Sequence, residues 1–139
     1  MKEYYNKTEK IIAYFLFSAF FIVGILTFRD YGISIDEEFQ RASGFYWLNY
    51  VLNFTPFENF QNYVNEIIAQ PKGPTVPSVE ANLPYGVVFD LPLAFLETIL
   101  KINETKNYYF LRHFCNFFLF FVSSIFFFKL LSERFSDKY

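Results

Sequence analysis

The eighteen residues from Ile11 to Phe28 (IIAYFLFSAFFIVGILTF) carry no charge and are bracketed by Lys10 and Arg29. A helix rising 1.5 Å per residue covers about 27 Å over that stretch, close to the hydrocarbon thickness of a bilayer. Two other structures share the pattern, a buried core helix and a cleaved signal peptide. A signal peptide requires a basic leader, a shorter apolar stretch and a small-residue cleavage site. Here Glu3 and Glu9 stand among the three leading lysines, and Thr27-Phe28-Arg29-Asp30-Tyr31-Gly32 is no such site. A core helix needs a surrounding domain with enough polar surface to cover it. With 53% apolar and 19% charged residues, the chain falls short of the roughly 25% charge usual in soluble domains. An uncleaved membrane anchor fits best.

A second span is placed at about 108–131. Its centre, Phe114 to Phe128 (FCNFFLFFVSSIFFF), is uncharged; Arg112 and His113 mark one end, and Lys129, Arg134 and Lys138 close the other. Three lysines precede the first span and three Lys/Arg follow the second, whereas Arg29 to Asn107 carries ten acids against five basic residues. Basic residues concentrate on the cytoplasmic side, so both termini are placed in the cytoplasm and residues 29–107 outside. The fold expected is all-α, with two transmembrane helices and amphipathic helices in the outer loop.

The loop carries three helix signals. Ser34-Ile35-Asp36-Glu37 has the spacing of a capping box, and Phe39, Ala42, Tyr46, Tyr50 and Val51 follow near a 3.6 period, which predicts a helix over 34–52. Pro56 suits a first helical position, and Phe57, Phe60, Val64, Ile67 and Ile68 predict a second helix over 56–69. Residues 70–83, with three prolines and a glycine, have linker composition. The third signal, over 84–102, is long enough to span but contains Asp90, Pro92 and Glu97; a central acid costs about 2.5 to 3.5 kcal/mol on insertion scales. Asp90, Ala94, Glu97 and Lys101 fall on one face, which favours an interfacial helix over a third span.

Several classes drop out. A single cysteine, Cys115, cannot form an internal disulfide framework or a Cys-rich zinc module. A net charge of -2 gives no electrostatic case for nucleic acid. No pattern calls for a metal or cofactor.

The candidate chemistry lies at Asp36-Glu37-Glu38, just outside the first span. Acids in a first turn also complement the helix dipole, and Glu37 also closes the capping box. At a membrane surface, however, a carboxylate can take a proton from a hydroxyl that attacks a lipid-linked donor. Arg112 and His113 can neutralise a lipid phosphate, or serve as snorkelling anchors.

An apolar span followed by Asp30-Tyr31-Gly32-Ile33-Ser34-Ile35-Asp36-Glu37-Glu38-Phe39-Gln40 and Gly44 resembles the start of the family 39-type membrane glycosyltransferases of the GT-C fold. Pro84-Tyr85-Gly86 before an apolar helix resembles that family's entry to a juxtamembrane helix, and Phe110-Leu111-Arg112-His113 its next transmembrane helix. The likeness covers about residues 11–137. It implies transfer of a sugar from a polyprenyl-phosphate donor to an acceptor outside the cytoplasmic (inner) membrane of a bacterium, as in protein mannosyltransferases and lipid A aminoarabinose transferases. By the same match Asp36 is the catalytic base with Glu37 beside it, and Arg112, His113 and Tyr85 are the substrate-binding candidates.

Two departures bear on that match. Some members place a lysine where this chain has Leu83. They also carry around ten or more spans and a second acidic motif, so the expectation is an N-terminal piece of such an enzyme, inactive alone and completed by further helices. The alternative is a small non-catalytic two-span protein that docks on lipid or on a partner.

Overall fold

The computed structural model describes residues 7–70, 73–82 and 87–135. Among the described residues the chain is all-helical: α1 (Lys7–Thr27), α2 (Glu37–Leu52), α3 (Glu58–Ala69), α4 (Val79–Asn82), α5 (Asp90–Ile99) and α6 (Thr105–Phe135). Two compact units result, one being Gly32–Leu111 and the other the helices before and after it, up to Tyr31 and from Arg112 onward.

The first unit is a pair of long apolar helices. Thr8–Thr27 and Thr105–Arg134 are long and apolar enough to cross a membrane, and only 6% of either apolar window is buried. Such exposure is the reverse of a soluble core helix. The two helices run antiparallel, because partners move down α6 as they move up α1: Phe17 meets Phe128 at 5.4 Å between ring centroids, Phe20 meets Phe117 at 5.9 Å, and Phe28 meets Phe114 at 5.7 Å. All three pairs are edge-to-face, the arrangement favoured by the ring quadrupole. Gly24 makes the approach possible, since a Cβ there would run into the Phe117 ring.

In Gly32–Leu111, α2 packs on α5 and on α3. The core is Phe45, Leu48 and Leu52 of α2, Val64 and Ile67 of α3 and Ala94 of α5, with Phe60, Tyr63 and Ile68 against its edge. Phe45 and Val64 are fully buried, and each contributes about 1.5–3 kcal/mol by leaving water. Gly44 sets the α2–α5 spacing, because a Cβ there would overlap the main-chain carbonyl of Asp90.

Three expectations about this unit shift. First, α2 begins at Glu37, with Asp36 as its N-cap, rather than at Ser34. Half of the capping box forms: the Ser34 N–H donates to Glu37 Oε1 at 3.4 Å, while the Glu37 N–H donates to the Ser34 carbonyl at 3.2 Å and closes a turn. Second, the buried stripe of α2 is Arg41, Phe45, Leu48 and Leu52, and the expected Tyr50 and Val51 are exposed. Third, α5 turns its polar face inward. Ala94 and Glu97 are buried, whereas Phe95, Leu96, Ile99 and Leu100 are exposed.

At ten residues α5 is about 15 Å long, too short to cross a bilayer. Pro92 sits within its first turn, where a missing N–H costs nothing. The helix ends in a Schellman motif: the Ile102 N–H donates to the Glu97 carbonyl and the Lys101 N–H to the Thr98 carbonyl, with Lys101 left-handed at φ 52°. Residues 83–86 of the expected helix lie outside the described residues. α3 keeps its predicted stripe, although Phe57 is exposed and the helix starts at Glu58. The linker-like segment contains the four-residue α4, whose Ala81 N–H donates to Ser78 Oγ at 3.3 Å.

Candidate functional site

The acidic cluster stands at the head of α2. Asp36 is exposed and makes no side-chain capping hydrogen bond, Glu37 is half-buried and reaches back to Ser34, and Glu38 is exposed. An N-terminal helix turn carries partial positive charge, which stabilises carboxylates placed there. The Asp36 side chain is therefore open to solvent at the start of the helix.

One turn below, α2 is clamped. Arg41, four residues after Glu37 and on the same face, is buried against Glu97 of α5. Its Nε donates to Glu97 Oε1 at 3.0 Å and Oε2 at 3.2 Å, and its Nη2 to Oε1 at 2.5 Å. The Tyr108 ring centroid lies 3.8 Å from the guanidinium carbon, and that of Phe45 lies 5.2 Å away. Aromatic faces attract a desolvated cation, so both the carboxylate and the rings offset the burial of the Arg41 charge. Thr98, next to Glu97, donates its hydroxyl to the Ala94 carbonyl at 2.7 Å. The arrangement holds α2 and α5 in one register beneath the acids.

Sequence reasoning missed Arg41 and Tyr108 and read Glu97 only as part of the polar face of an interfacial helix. A signal was present: Arg41 occupies the first position of the series 41, 45, 48, 52, whose other members are apolar. A charge at helical spacing within an apolar stripe calls for a buried counter-charge.

The basic pair belongs to the span unit. Arg112 and His113 are 3% and 7% exposed, so neither extends into solvent as a snorkelling anchor. The Tyr31 ring packs 5.9 Å from His113. Asp36 and Glu37 thus belong to Gly32–Leu111, and Arg112 and His113 to the other unit. Tyr85 lies outside the described residues. Among the described residues no group of three or more His, Cys, Asp or Glu is arranged to hold a metal ion. Comparison with protein-family models, with curated proteins and with solved structures finds no match to this chain.

Proposed function

We propose that this chain is the opening part of a polyprenyl-phosphate-dependent membrane glycosyltransferase of the family 39 type, with Asp36 as its base. In this reading α1 and α6 cross the cytoplasmic (inner) membrane of a bacterium, both termini are cytoplasmic, and residues 29–107 lie outside. The observation that supports it most is the exposed Asp36 carboxylate at the head of a helix whose next turn is locked to α5 by Arg41 and Glu97. A base must be accessible and its backbone must be held, and both conditions are met.

The chemistry balances without a cofactor. Asp36 takes the proton of the acceptor hydroxyl, the hydroxyl oxygen bonds to the anomeric carbon, and the bond from that carbon to the phosphate oxygen breaks with inversion. Polyprenyl phosphate leaves with the electron pair, and Arg112 and His113 are assigned to that phosphate by the resemblance. Tyr85 stays assigned to the substrate by resemblance. The resembled enzymes build their donor cavity from many spans, so further helices complete this one.

The test uses membranes that contain the completing helices but lack this chain, complemented with the native or Asp36→Ala chain and given labelled polyprenyl-phosphate sugars. Native chain restores transfer, and Asp36→Ala lowers it by about 10²–10⁴-fold with membrane insertion intact. Undiminished transfer by Asp36→Ala overturns the assignment.

A second reading, non-catalytic docking on lipid, is favoured by the outward apolar face of α5 and by exposed Phe54 and Phe57. It predicts that Asp36→Ala and Glu37→Ala are silent while loss of those aromatics is not.

A further inference from the structure

Arg41 is held by two different elements. Glu97 of α5 takes the edge of its guanidinium through Nε and Nη2, and the Tyr108 ring of α6 lies over its face, with the centroid 3.8 Å from the guanidinium carbon. α2 packs along α5 and α3, and side chains from the opening of α6 reach across to it. Tyr109, whose ring centroid lies 4.6 Å from that of Tyr108, is within electrostatic reach of Glu38 and Arg41. Both tyrosines are buried, and all of these residues belong to Gly32–Leu111. α6 continues unbroken from Thr105 to Phe135, so the tyrosines open the same helix that is read as the second span.

We infer that Tyr108 is a positioning residue whose ring ties the acid-bearing start of α2 to the span helix α6. α5 leads into α6 through residues 100–104, so the Arg41–Glu97 lock by itself sets α2 against α5 but not against α6. A guanidinium is planar: a carboxylate on its edge fixes it within its plane, and a ring on its face fixes the tilt of that plane. With both contacts made, the turn before Arg41, which carries Asp36 and Glu37, has a fixed place relative to the opening of α6. Phenylalanine at 108 keeps the aromatic face, whereas leucine or methionine fills much of the space and offers none. The inference rests on the glycosyltransferase reading for its catalytic consequence, while the tie itself is a matter of geometry.

Spin labels at Val51→Cys and Lys106→Cys, in the full chain carrying Cys115→Ser and held in phosphatidylcholine/phosphatidylglycerol vesicles, read the tie by double electron–electron resonance. Both positions are exposed, and Val51 lies about 15 Å along α2 from Arg41, so a tilt of α2 is amplified there. The chain with Tyr108 and the Tyr108→Phe variant give one narrow distance, whereas Tyr108→Leu and Tyr108→Met give a broad one. Far-UV circular dichroism shows which variants are folded, and two non-aromatic variants are used so that a folded one decides. A narrow distance in a folded Tyr108→Leu or Tyr108→Met chain, or a broad one in Tyr108→Phe, overturns the proposal. In the transfer assay Tyr108→Leu lowers kcat by about 10- to 100-fold with KM for the donor within about twofold, and Tyr108→Phe restores kcat. An unchanged kcat in Tyr108→Leu overturns the positioning role. Failure of the glycosyltransferase reading looks different: Asp36→Ala then transfers at the native rate, while the Tyr108 variants still separate by distance.

Discussion

Arg41 and Glu97, fifty-six positions apart, meet as a buried ion pair in which one guanidinium edge spans both carboxylate oxygens. Removing one partner strands a buried charge. Arg41→Met or Glu97→Leu alone is expected to destabilise Gly32–Leu111 by about 3–5 kcal/mol, whereas the double variant returns close to native stability. Thermal unfolding in detergent, followed by Trp47 fluorescence, measures both.

Gly44 and Gly32 make a matched pair of substitutions. A side chain at Gly44 meets the Asp90 carbonyl, and nothing lies near a Cβ at Gly32. Gly44→Val is expected to cost about 1–3 kcal/mol by forcing α2 from α5. Gly32→Ala should stay within about 0.5 kcal/mol on the same unfolding curve.

Lys101 holds a left-handed conformation that suits glycine. Lys101→Gly keeps the Schellman bonds and removes the Cβ conflict, so a stability gain of about 1 kcal/mol is expected. The readout is the unfolding midpoint, with far-UV circular dichroism to verify unchanged helicity.

The Glu80 carboxyl is held below the ordinary carboxylate range by its own backbone N–H and by the Ser78 hydroxyl. A lowered folded pKa contributes stability above the unfolded value and loses it as pH falls through the folded one. Ser78→Ala is expected to move the Glu80 titration upward, toward the ordinary range, as followed by carboxyl-carbon NMR.

Much of this arrangement is legible in the sequence, and the rest is not for physical reasons. Ile11–Phe28 and Phe114–Phe128 announce α1 and the heart of α6, because charge-free length is a local property. Val64, Ile67 and Ile68 give the packed face of α3 by period alone. The buried face of α2 does not follow, because aromatic residues ring that helix and only the partner decides which side is covered. α5 reads inside out for the same reason: Glu97 looks like a solvent residue until Arg41 is known to lie opposite.

The central claim is that the chain crosses the membrane twice and holds Asp36 outside. Reporter fusions after Lys72, Lys106 and Tyr139 test it most directly, with alkaline phosphatase active only outside and a cytoplasmic fluorescent reporter active only within. The account predicts outside signals at Lys72 and Lys106 and an inside signal at Tyr139. An outside signal at Tyr139, or an inside signal at Lys72, contradicts it.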